Sequence, residues 1–115
     1  MSRSGSDTSA AKRRHHAALF AALGDATRLS LVTTLSGREP RSIAQLTGGS
    51  KMTRQAITKH LRVLQNAGIV HAVRAGRESL FELDPQPLNQ LQEYLGRVSA
   101  QWDQVLSRLK TLVES

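Results

Sequence analysis

Eight apolar residues near the end of the chain, Leu88, Leu91, Leu95, Val98, Trp102, Val105, Leu109 and Leu112, follow one another at steps of 3, 4, 3, 4, 3, 4 and 3. That alternation keeps every member on one side of an α-helix, and a strand would scatter them over both faces. Asp84 and Pro85 ahead of the stripe supply an N-cap and a proline at the first helical position, so a long helix is predicted from about Pro87 to Val113. The stripe runs for more than three heptads in a chain of 115 residues, a length that supports one compact domain. A body that small cannot cover a seam that long, so at least part of it should close against a second copy, with Trp102 as an anchor. The competing expectation is a helix that packs wholly inside its own domain.

The remainder of the chain is cut into short elements by its glycines and prolines. Residues 1–11 are small and polar without period and are expected to form a disordered arm, from which Arg3 could still reach a polyanion. Lys12-Arg13-Arg14 then opens a helix carrying Ala17, Leu19, Phe20 and Leu23 and stopped by Gly24. Asp25 caps a second helix with Ala26, Leu29, Val32 and Leu35, ended by Ser36-Gly37. Arg38-Glu39-Pro40-Arg41 cannot continue that helix, because proline lacks the amide proton and biases the residue before it to extended backbone, and a short connecting strand is expected there.

Ser42-Ile43-Ala44-Gln45 has the spacing of a capping box and begins a short third helix that Gly48-Gly49-Ser50 ends. Thr53 caps a fourth, whose Ile57, Leu61 and Leu64 face inward until Gly68 terminates it. A helix, a glycine-containing turn and a second capped helix make a helix-turn-helix. From Ile69 to Leu83 the period shifts toward that of strands, flanking a turn at Ala75-Gly76-Arg77, which predicts a two-stranded wing. The fold class expected is mainly α with a small β-hairpin, a winged helix-turn-helix over residues 12–84 continued by the helix of residues 85–115 as part of the same domain.

Charge narrows the function. Residues 1–77 hold 13 Lys and Arg against 3 Asp and Glu, whereas residues 78–115 hold 3 against 6. A basic body attracts phosphates and gains from the counterions they release, although a solvated basic surface without a partner would show the same total. The chain has no cysteine, which excludes disulfides and thiolate metal sites. No secretory leader and no run near the ~20 apolar residues of a membrane span are evident, so a soluble, cytoplasmic protein with no membrane partner is expected. Neither a nucleophile triad, a glycine-rich phosphate loop nor paired carboxylates stand out, and no enzymatic activity is expected.

The second helix of a helix-turn-helix enters the major groove with its N-terminal residues toward base edges. Here the side opposite the core holds Thr53, Arg54, Gln55, Thr58 and Lys59, with Arg62 further along. Arg can pair bidentately with guanine and Gln with adenine, Thr can bond phosphate or meet a thymine methyl, and Lys neutralises phosphate. Arg74 and Arg77 bracket the wing turn, where a long cation could reach the backbone or minor groove of the same double-stranded DNA. His60, beside Ile57 and Leu61, reads as a structural histidine, and Arg28, inside the second helix, as an ion-pairing or capping residue.

Three segments in order, Leu23-Gly24-Asp25-Ala26-Thr27-Arg28-Leu29, Thr53 to Leu64 with His60-Leu61-Arg62-Val63-Leu64, and Ala67-Gly68-Ile69-Val70, resemble the ArsR/SmtB family of bacterial regulators over roughly residues 16–84. The resemblance implies a homodimer held by its first and last helices, which places Leu19 and Phe20 with Leu91, Leu95, Val98, Trp102, Val105 and Leu109 at the interface. It further implies a pseudo-palindromic operator and, usually, repression until a signal releases it. Metal sensors of that family carry Cys pairs on the third helix or Asp, His and Glu on the last. This chain has Ile43, Ala44 and Gln45 on the third helix and Glu93 and Asp103 but no His on the last, so no metal and no cofactor are expected and the effector is unknown. The adjacent His15 and His16 are a weak metal motif. The remaining alternative is a winged helix that contacts another protein, which would favour apolar and aromatic anchors where this chain has polar and basic ones.

Overall fold

The computed structural model describes residues 2–37 and 39–114, with side chains from residue 9 onward. Eight elements follow in the order α1 Ser2–Leu23, α2 Ala26–Leu35, β1 Arg41–Ser42, α3 Ile43–Thr47, α4 Arg54–Asn66, β2 Val70–Ala75, β3 Glu78–Leu83 and α5 Pro85–Glu114. The first helix reaches back over the segment read as an arm, in keeping with the helix-favouring run Ala10-Ala11-Lys12-Arg13-Arg14 that continues it. Met1, Arg38 and Ser115, and the side chain of Arg3 with its suggested contact, lie outside the described residues.

Local capping explains most boundaries. Asp25 accepts a hydrogen bond from the Arg28 amide at 3.0 Å and starts α2. At α3 the box is reciprocal: Ser42 Oγ accepts from the Gln45 amide at 3.2 Å, and Gln45 Oε1 accepts from the Ser42 amide at 2.9 Å. Thr53 Oγ1 accepts from the Ala56 amide at 3.1 Å and opens α4. That helix ends in a full Schellman arrangement, in which the Ile69 amide donates to Leu64 O at 2.9 Å and the Gly68 amide to Gln65 O at 3.0 Å. Gly68 sits at φ 78°, a left-handed conformation that costs any residue with a Cβ. Asp84 Oδ1 accepts from the Gln86 amide at 3.0 Å, which leaves Pro85 at the first position of α5.

The wing is a hairpin of β2 and β3 with Ala75 paired to Glu78, so Gly76 and Arg77 form a two-residue turn. Gly76 has φ 63° and no non-glycine residue among those described has positive φ, the dihedral pattern of a type II′ turn. The two-residue strand β1 adds to the hairpin through Arg41 and Ser42 opposite Phe81 and Leu80, giving a three-stranded antiparallel sheet in the order β1-β3-β2. Pro40 starts this connection by blocking a continued helix, and the sheet edge it joins then satisfies the backbone.

One core joins every layer: Leu19 and Ala22 from α1, Leu31 and Leu35 from α2, Leu46 from α3, Ile57, Leu61 and Leu64 from α4, Ile69, Val70 and Phe81 from the sheet region, and Leu91 from α5. On α2 the inner face is Leu31 and Leu35, and Leu29 is exposed, a rotation of the helix from the face its apolar residues suggest. The expected interface set is corrected at two positions. Leu19, 1 % exposed, and Leu91, 4 %, are consumed by the protomer's own core, because α5 crosses α1 there. Beyond that crossing the seam leaves the body: Leu95, Trp102, Val105 and Leu109 are exposed, Val98 half so, and the molecule measures 65 × 41 × 22 Å. Thirty residues at about 1.5 Å rise make α5 roughly 45 Å long, which accounts for much of that length.

Candidate nucleic-acid interface

Ile57, Leu61 and Leu64 hold one side of α4 in the core, and that commitment turns positions 54, 55, 58, 59 and 62 outward. Arg54, Gln55, Thr58, Lys59 and Arg62 line a single shallow groove on the surface, with Ile43 of α3 forming its other wall. Arg54 also borders a second depression together with Ser42, Ile43 and Ala44 and with Arg77, Glu78 and Ser79 of the wing. The wing tip therefore stands beside the start of α4, and Arg54 with Ile43 borders both surfaces. Arg74 is exposed on β2 opposite Ser79 and borders neither depression.

Two of the expected contact residues are partly occupied by the helix itself. Thr53 Oγ1 caps α4, and Thr58 Oγ1 donates to Arg54 O at 2.7 Å. Thr53 retains a hydroxyl proton to offer, and Thr58, whose hydroxyl is taken by the helix, lines the groove beside Gln55 and Lys59. Ile43 as a wall of the groove escaped the sequence reading. Its position follows from the capping box, which sets the direction of α3 against α4, and no local signal at residue 43 distinguishes a groove wall from a core residue.

The histidines and Arg28 fall into structural arrangements. Arg28 Nε donates to Ala22 O at 2.6 Å and Nη1 lies 3.2 Å from His60 Nδ1, whose ring also stands 3.7 Å from Asp25 Oδ2. The Arg28 amide, with the Arg28 side chain adding to it, holds the Asp25 carboxyl below the ordinary carboxylate range. His15 meets Gln90 Oε1 at 2.9 Å and His16 packs tilted against Tyr94 with ring centroids 4.9 Å apart, the two imidazole centroids standing 6.1 Å from each other. Among the described residues no three His, Asp or Glu side chains converge as metal ligands. No single described helix is long and apolar enough to cross a membrane.

A capped helix with an outward basic and amide edge, held by a second helix and flanked by a hairpin, defines a winged helix-turn-helix DNA-binding protein. Residues 23–73 match a family model described as a helix-turn-helix domain. Over 80 residues the chain is 39 % identical to the HTH-type transcriptional regulator YuzN of Bacillus subtilis, covering 64 % of this chain and 87 % of that one. An ArsR-like transcriptional regulator from Rhodococcus sp. RHA1 superposes with a TM-score of 0.75 at 38 % identity, covering 87 % of this chain and 93 % of the other. The homodimeric winged helix-turn-helix domain of Mb0332 from Mycobacterium bovis shares the fold, with a TM-score of 0.63 at 20 % identity and coverage of 89 % and 91 %. The chain belongs to the ArsR family and is a DNA-binding transcriptional regulator.

Proposed function

We propose that the protein acts as a cytoplasmic homodimeric repressor that places two copies of α4 in successive major grooves of a pseudo-palindromic operator. Arg54 and Gln55 read base edges, Thr58 meets a thymine methyl, Thr53, Lys59 and Arg62 fix the register on phosphates, and Arg77 with Arg74 reaches the flanking backbone or minor groove. The protein works by binding and carries out no reaction of its own. The carrying observation is the joint exposure of two surfaces that a lone protomer leaves unused: the Arg54 to Arg62 edge and the apolar side of α5 from Leu95 to Leu109. Phe20, exposed on α1 and edge-on to Tyr94 at 6.0 Å, extends that apolar side onto the first helix. Mb0332, which has the same fold, is homodimeric, in keeping with a paired state.

Binding of the purified protein to duplexes selected from a random pool, over a salt series, tests this directly. A recovered site with two related half-sites about one helical turn apart, bound by two protomers and far tighter than random sequence, is the expected result. Equal affinity for all duplexes would reduce the protein to a non-specific polycation. A reporter driven by the promoter of the protein's own gene would rise on loss of the protein if it represses, and fall if it activates.

A further inference from the structure

We infer that Arg28 and His60 form a tie that sets the angle at which α4 is presented, so that they are positioning residues for DNA reading although neither lies on the reading edge. Arg28 is the only side chain described that joins three elements through hydrogen bonds. From α2 it donates to two carbonyls at the C-terminus of α1, Ala22 O at 2.6 Å and Ala21 O at 3.5 Å, and to the ring of His60 in the middle of α4. A guanidinium only donates, so Nδ1 of His60 accepts, and the planar fork fixes direction as well as distance. Asp25 completes the node by capping α2 through the Arg28 amide.

The consequence concerns coupling between the two functional surfaces. At the C-terminus of α1 the Gly24 amide donates to Ala21 O at 3.2 Å and the Asp25 amide to Leu23 O at 2.9 Å, and Arg28 takes up Ala22 O between them while gripping α4, thereby linking the helix that carries Phe20 to the helix that carries Arg54 and Gln55. His60 lies one residue from Lys59 and two from Arg62, so a rotation of α4 about its axis, resisted by this bond, would move the whole reading edge. The inference rests on α4 being the reading helix. It adds that base discrimination depends on a hydrogen bond made on the far side of that helix, between α4 and the α1–α2 junction.

The test compares wild type with Arg28→Lys, His60→Ala and His60→Asn on a selected operator and on random duplex, over a salt series. Lysine keeps the charge and loses the fork. Asparagine offers an acceptor near the place of Nδ1, and alanine offers none. The expected result is that Arg28→Lys and His60→Ala each lower the operator-to-random ratio about tenfold at an unchanged salt slope, that His60→Asn stays within about threefold of wild type, and that the double variant Arg28→Lys/His60→Ala is no worse than either single one. A salt slope lowered by about one unit, with equal losses on both duplexes, would make Arg28 or His60 a phosphate contact and overturn the tie. Lowered thermal midpoints with an unchanged ratio would make the node a matter of stability alone and overturn it equally. Gln55→Ala, run in parallel, separates this outcome from failure of the reading helix: if it too leaves the ratio unchanged, α4 does not read DNA.

Discussion

Replacing Leu95 and Trp102 together by glutamate should convert the proposed dimer to monomers. Leu95 is 51 % exposed and Trp102 60 % in the isolated protomer, yet both lie on the one seam of α5. Covering the exposed parts of a leucine and an indole removes roughly 200 Å² of apolar surface per protomer, worth about 5 kcal/mol at ~25 cal/mol per Å², and about twice that for a two-fold symmetric pair. Ordering of side chains and imperfect burial consume part of this gain, so about half of it, near 5 kcal/mol, is the expected loss. Such a loss raises the dimer dissociation constant by about three decades or more, before the repulsion between introduced carboxylates is counted. Sedimentation equilibrium across nanomolar to micromolar protein, with circular dichroism to verify that the helices persist, reads the change. Operator affinity should fall along with dimerisation, because each half-site then binds independently. A double variant that still sediments as a dimer would refute the assignment of this seam to the interface.

Three further outcomes are expected. Arg77→Ala at the wing tip should weaken binding to operator and random DNA alike and lower the slope of log affinity against log salt by about one unit; an unchanged slope would remove the wing from the phosphate contacts. Gly68→Ala should cost about 1 kcal/mol in urea unfolding, because a Cβ there meets nothing within 4 Å and the penalty is that of the left-handed backbone alone. An unaltered midpoint would show that the Schellman turn tolerates another backbone conformation. Asp25, whose carboxyl is held low chiefly by the Arg28 amide, stabilises the fold above the pH at which the unfolded chain's carboxyl titrates and loses that contribution as pH falls through its folded value. Asp25→Asn keeps a capping oxygen and removes the titration, so the stability gap between wild type and variant should close below about pH 4. A gap that stays constant into acid would refute the linkage.

The elements that local chemistry dictates were legible in the residues alone. Ser42 with Gln45, Thr53, Gly68 and Asp84-Pro85 each carry their boundary in their own side chain or backbone, and each boundary falls where that chemistry puts it. The inner face of α4 could be read because Ile57, Leu61 and Leu64 have no polar competitor on their side. What depended on tertiary context was less accessible. Leu19 and Leu91 lie on faces that look equally suited to a partner and to the core, and only the crossing of α1 and α5 decides between them. Leu29 shows the same ambiguity on α2, whose apolar residues are spread around the helix. A short strand after Pro40 is legible from the proline, but its pairing with β3 joins residues some 40 positions apart, which no local pattern reveals. Arg28 was recognisable as structural, whereas its partner in α4 was not, since nothing in a run of residues tells position 28 that position 60 will lie beside it.

The most direct measurement is chemical footprinting of the dimer on its selected operator, with Arg54→Ala and Gln55→Ala beside the wild type. Protection of two major-groove faces about one helical turn apart, with each substitution costing ~1–3 kcal/mol on operator DNA and relaxing preference at symmetric base pairs, is the predicted result. Protection confined to one face, or losses identical on operator and random duplexes, would contradict the claim that two paired α4 edges read the sequence.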